Sequence, residues 1–123
     1  MDGMRKKIIL VDDIKSNLDQ GRNMLDPFYQ VYPATSAEKM FKYLEKIVPD
    51  LILLDIEMPE MNGYEALKIL KADERYSNIP VIFLTAVSAE SSGREGAGVC
   101  AADYVIKPFS AELLIESIEK NTS

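Results

Sequence analysis

Pro49-Asp50-Leu51-Ile52-Leu53-Leu54-Asp55-Ile56-Glu57-Met58-Pro59 is the stretch whose reading decides the fold. Leu51 to Leu54 is an unbroken apolar run, too short for a helix of ordinary length. Such a run reads as a strand buried on both faces, as in the middle of a parallel sheet. Asp55 stands at its C-terminal end. In open α/β sheets the ligand crevice lies just outside that end of the strands. Asp55 is therefore a candidate nucleophile.

Working outward, Lys6 to Asp12 (KKIILVD) repeats the pattern: four apolar residues, then the acids Asp12 and Asp13. Ile14, Leu18, Gly21 and Leu25 follow at helical spacing, and Asp26-Pro27 ends that helix. Tyr29 to Ala34 is a second strand, and Pro33 favours an edge position because it lacks a donor. Thr35-Ser36-Ala37-Glu38 has capping-box spacing. Ala37, Met40, Phe41, Leu44 and Val48 mark the helix behind it, closed by Pro49.

Beyond Pro59, the turn Glu60-Met61-Asn62-Gly63 leads into a third helix carrying Tyr64, Leu67 and Leu70. Val81 to Leu84 is a fourth apolar strand with Thr85 at its end, and Asp103 to Ile106 a fifth, ending at Lys107-Pro108. A fourth helix is expected by alternation between Ser88 and Ala102. There Gly93, Gly96 and Gly98 each cost about 1 kcal/mol relative to Ala, which makes that helix short or mobile. Ser110 caps a closing helix with Ala111, Leu114, Ile115 and Ile118 on its apolar face. Five βα units imply an α/β fold with a parallel sheet, helices on both faces and right-handed crossovers.

The 123 residues fit one domain over 1–123, with no second domain in the chain. A net charge of −6 argues against direct binding to nucleic acid or to an anionic membrane. No apolar run approaches the roughly 20 residues of a membrane span. The single Cys100 cannot form an internal disulfide, so a cytoplasmic setting is expected. The chain has no His, which excludes serine-triad and His-ligated zinc chemistry and leaves Cys100 without the usual base.

Asp12, Asp13, Asp55, Thr85 and Lys107 all end strands at the same edge, and in-register strands would bring them to one crevice. Each alone is unremarkable; an Asp after a strand is often a helix N-cap. Three carboxylates together either raise a pKa or bind a cation. An all-oxygen donor set suits Mg²⁺ accompanied by a phosphate oxygen. Lys107 supplies a point charge for phosphate, Thr85 a hydroxyl and Ala86 a backbone N–H. Phosphoryl transfer requires positioning and charge neutralisation more than proton transfer, so it needs no His in the acceptor.

With Asp12-Asp13, Leu53 to Gly63 (LLDIEMPEMNG), Thr85-Ala86 and Lys107-Pro108-Phe109 in this order, the chain resembles the response-regulator receiver domains of two-component signalling, over essentially its whole length. The resemblance implies a flavodoxin-like (βα)5 three-layer sandwich with strand order 2-1-3-4-5. It implies that Asp55 takes phosphate from a phosphohistidine on a sensor histidine kinase or phosphotransfer protein. The domain would assist its own phosphorylation and dephosphorylation without being an enzyme.

Further implications concern single residues. Asp13 and Asp55 would bind Mg²⁺ directly, Asp12 largely through water, and Glu57 through its backbone carbonyl. Lys107 would pair with Asp55 or its phosphate, ahead of a cis Lys107–Pro108 peptide. Thr85 and Tyr104 would act as a coupled switch that reports to the face made by the fourth helix, fifth strand and last helix, through which copies would pair in a phosphorylation-dependent homodimer. From the residues alone Tyr104 is equally an ordinary half-buried strand aromatic, and the direction of Glu57's effect on phosphate lifetime stays open. The family's usual Gly-Ala-Asp-Asp before the fifth strand is replaced by Cys100-Ala101-Ala102-Asp103, a departure on the output side.

Two rivals follow from the same residues. A Mg²⁺-dependent haloacid-dehalogenase-like phosphohydrolase also uses an aspartyl phosphate. It places a second Asp where Glu57 stands, however, and carries a cap for which this chain has no room. A phosphate-independent pseudo-receiver would bind partners only, and the full set of five site residues argues against it.

Overall fold

The computed structural model describes residues 5–85, 102–107 and 110–122. The fourth helix expected before Ala102, with its glycines and Cys100, lies outside the described residues, as do Ala86, Val87, Pro108 and Phe109. The elements run β1 (Lys7–Val11), α1 (Lys15–Leu25), β2 (Gln30–Ala34), α2 (Ala37–Leu44), β3 (Leu51–Asp55), α3 (Gly63–Ala72), β4 (Val81–Thr85), β5 (Asp103–Ile106) and a C-terminal helix, α4 (Ala111–Thr122). The five strands are all parallel, in the order β2-β1-β3-β4-β5. This is the flavodoxin-like arrangement.

All five residues of β3 and of β4 are buried, because central strands of a parallel sheet are covered on both faces. Alternate side chains feed two cores. Ile9, Val11, Ile52, Leu54, Val81 and Phe83 meet Met40, Leu44, Leu67 and Leu70 of α2 and α3. On the other face Ile8, Leu10, Leu51, Leu53, Ile82 and Leu84 meet Leu18 and Leu25 of α1 and Leu114 and Ile118 of α4. Each fully buried Leu or Ile contributes about 1.5–3 kcal/mol, so two continuous cores hold the strand ends in place. Pro33 lies on β2, at the sheet edge as expected.

Three local expectations are corrected. Ile14 is 52% exposed and is the N-cap residue of α1, because Asp12 Oδ1 accepts its N–H at 2.9 Å and holds it outside the helix. The capping box at Thr35–Glu38 does not form. Ser36 is the cap instead and accepts from the Lys39 N–H at 3.2 Å, so the box position falls on a lysine. Helix α2 stops at Leu44, four residues before Val48, which is 72% exposed. There the Glu45 and Lys46 N–H groups reach back only three residues, to Lys42 and Tyr43, and this tightens and ends the last turn.

A capping box does form at α3. Asn62 Oδ1 accepts from Glu65 N–H at 2.9 Å, and Glu65 Oε1 accepts from Asn62 N–H at 3.0 Å. Ser110 caps α4 as expected, its Oγ accepting from Leu113 N–H at 3.1 Å.

Candidate functional site

Strand register sets the site. Val11 pairs with Leu54, Asp55 with Leu84, and Thr85 with Ile106. Asp12, Asp55, Thr85 and Lys107 therefore leave the sheet at one edge, as the apolar runs imply. Local bonds continue the ladder past the strand ends. Asp12 N–H donates to the Ala34 carbonyl at 3.1 Å, Ile56 N–H to Leu84 at 3.2 Å, and Lys107 N–H to Thr85 at 2.7 Å.

At this edge Lys107 Nζ donates to Asp12 Oδ2 at 2.9 Å and to Asp55 Oδ1 at 3.1 Å. Asp12 and Asp55 are 2% and 4% exposed, and Asp13 is half-buried. Asp12, Asp13 and Asp55 each place a carboxylate oxygen within 4.8 Å of the other two. Burial first, and the negative charge of Asp12 next, push the Asp55 carboxyl up to about 6 against the pull of Lys107. For Lys107, burial works downward, but the hydrogen bonds to Asp12 and Asp55 outweigh it and the net shift is upward. One ammonium thus serves two buried carboxylates, and a third stands beside them.

Thr85 is buried at the end of β4. Tyr104 is half-buried on β5, its ring centroid 5.6 Å from that of Phe83. Phe83 in turn meets Tyr64 edge-on at 5.2 Å, so one fully buried ring joins α3 to β5 just below Thr85. Phe83→Ala is expected to cost about 3–5 kcal/mol in chemical unfolding, since it empties a site with no solvent access. A loss under 1 kcal/mol would mean that Tyr64 and Tyr104 collapse into the space. The Glu57 side chain is exposed beyond the end of β3.

Gly63, the last residue of the Leu53–Gly63 motif and read there only as part of a turn, packs against the end of β3. Its N–H donates to the Ile56 carbonyl at 2.8 Å. A Cβ built on it would lie 2.6 Å from the Asp55 carbonyl oxygen. The available signal was Asn62-Gly63 with Glu65, a capping box that begins seven residues after Asp55.

The family model described as "Response regulator receiver domain" matches residues 8–119. A probable cyclic di-GMP phosphodiesterase of Vibrio cholerae is 39% identical over 87% of this chain, which spans 24% of that protein. The polar-differentiation response regulator DivK of Brucella ovis is 35% identical over 94% of this chain and 95% of its own. The receiver domain of a Pseudomonas aeruginosa sensor histidine kinase, solved with a magnesium ion coordinated in the active-site cleft, superposes with a TM-score of 0.85. It is 26% identical and covers 94% of this chain and 96% of that one.

Proposed function

The chain belongs to the response regulator receiver domain family of two-component signalling, and from that premise we propose that it is a phosphorylation-dependent switch whose acceptor is Asp55. One observation carries the reading: Lys107 is shared between Asp12 and Asp55 in a buried carboxylate cluster at the sheet edge. In this reading the donor is a phosphohistidine of a kinase or phosphotransfer protein in the cytoplasm. The P–N bond to imidazole breaks as a P–O bond to Asp55 forms, and the leaving imidazole takes a proton from solvent.

The donor set fits Mg²⁺. Three carboxylates against one ammonium leave two formal negative charges, and every donor is a hard oxygen. Asp13 and Asp55 would hold the ion directly and Asp12 largely through water, with the Glu57 backbone carbonyl as a further donor. When bound, Mg²⁺ supplies charge neutralisation for the carboxylates and the incoming phosphoryl oxygens. Lys107 keeps Asp55 oriented and then pairs with its phosphate. The Thr85 hydroxyl and the Ala86 N–H contact the phosphoryl oxygens. Movement of Thr85 relayed to Tyr104, with Phe83 as its support, passes the state to β5 and α4. Partners and outputs of any longer protein of which this domain forms part follow that face.

The reading is tested by the pH and Mg²⁺ dependence of phosphoryl incorporation from an acyl phosphate, followed by intact mass. Asp55 must be ionised both to attack and to bind metal. Mg²⁺ affinity, and incorporation at Mg²⁺ well below saturation, are therefore expected to level off above pH 6 and to fall about tenfold per pH unit below it, whereas saturating Mg²⁺ moves the break to lower pH. Incorporation without Mg²⁺ at the same rate, or a flat profile from pH 5 to 7 at Mg²⁺ well below saturation, contradicts it.

A further inference from the structure

We infer that Gly63 is a positioning residue for the acceptor carboxylate: α3 begins directly on the backbone of Asp55 and Ile56, and only a residue without a side chain lets it. This rests on Asp55 being the phosphoacceptor.

A Cβ at Gly63 would stand 2.6 Å from the Asp55 carbonyl oxygen, 2.9 Å from Ile56 Cα and 3.2 Å from Phe83 Cε1. The first two are backbone atoms, so no rotamer change relieves them. Neither partner moves freely. Strand β3 is paired on both sides, by β1 and β4, and the first turn of α3, shaped by the Asn62–Glu65 capping box, is tied to it by the Gly63 N–H bond to the Ile56 carbonyl. The displacement therefore falls on the end of β3, at the last ladder pair, Asp55 with Leu84, and on the turn behind it, which together carry the Asp55 carboxylate and the Glu57 carbonyl. Lengthening the 2.6 Å contact to an ordinary 3.4 Å takes about 0.8 Å. A misplacement of about 1 Å at a reacting group costs on the order of a hundredfold in rate. Gly63 is not in the left-handed region, so the demand is one of space and not of backbone conformation.

Gly21 supplies the control. It is buried in α1, but a Cβ there meets only the Leu10 side chain, at 3.0 Å. Wild type, Gly63→Ala, Gly21→Ala and Asn62→Ala are compared at a temperature where circular dichroism shows each folded. Incorporation from an acyl phosphate is followed across a Mg²⁺ titration, and Mg²⁺ affinity is measured separately by calorimetry without phosphodonor.

Gly63→Ala is expected to lose about 10–100-fold in rate at saturating Mg²⁺ and about tenfold in Mg²⁺ affinity. Gly21→Ala keeps the wild-type values of both. A merely structural role would lower the melting temperature and leave both quantities unchanged per folded molecule, and that result overturns the inference. If Gly63→Ala does not fold, Asn62→Ala decides, because loosening the same seat without adding an atom is expected to slow incorporation; a wild-type rate there overturns it. If wild type itself takes no phosphoryl group, the acceptor reading fails, and calorimetry alone decides whether Gly63 positions the carboxylate.

Discussion

Replacing Asp55 by Asn is expected to abolish phosphoryl acceptance and, in metal-free buffer at pH 7, to stabilise the fold by about 1–3 kcal/mol. With Asp55 as the proposed acceptor, loss of acceptance follows from loss of its nucleophilic carboxylate. The gain in stability follows from the same burial that makes the site. Asp55 titrates near 6 in the folded protein and about two units lower in an unfolded chain. Its contribution to stability is therefore full below about pH 4 and is lost as pH rises through 6. At pH 7 the folded protein holds a carboxylate that burial and Asp12 oppose, and Asn has no charge to hold. Urea unfolding of both proteins in chelator, from pH 4 to pH 7, measures the difference. The gap should close toward pH 4, and an Asn variant less stable than wild type at pH 7 contradicts the electrostatic account.

Lys107→Ala is expected to act in the opposite direction on stability and in the same direction on function. Without Lys107 two nearly inaccessible carboxylates, Asp12 and Asp55, lose the ammonium that bonds both. Removing one partner of a buried pair costs about 3–5 kcal/mol. Protonation of Asp55 offers an escape that caps the loss nearer about 2–3 kcal/mol at pH 7. Adding Mg²⁺, or lowering the pH to 5, should recover part of it, because either neutralises the orphaned charge. Phosphoryl incorporation should fall by about 10²–10³, the scale of one lost charge stabiliser. Unchanged stability in chelator at pH 7 would show that the pair contributes nothing.

Most of this architecture was legible in the chain because its sheet is buried on both faces. Apolar runs at Ile8–Val11, Leu51–Leu54 and Val81–Leu84 admit few readings, and their ends carry the polar residues that define the crevice. What was illegible lies where a tertiary contact outweighs local pattern. Ile14 has helical spacing, yet the Asp12 carboxylate captures its N–H and leaves it as a cap. Val48 fits the stripe of α2, yet the three-residue bonds at Glu45 and Lys46 end the helix early. Thr35 and Ser36 are both good caps, and only the path of the chain chooses between them. Gly63 reads as a turn residue, because its distance to Asp55 exists only after α3 has docked on β3. The sharing of Lys107 between Asp12 and Asp55 is likewise a matter of geometry. The resemblance implied a Lys107–Asp55 pair, and only the folded geometry adds Asp12 as the second carboxylate.

The most direct measurement is the location of the phosphoryl group. The protein is treated with an acyl phosphate and Mg²⁺, then digested and mapped by mass spectrometry under conditions that preserve acyl phosphates. The account predicts one modified residue, Asp55, and none in the presence of chelator. A protein that stays unmodified, or one whose phosphoryl group maps to another residue, contradicts it.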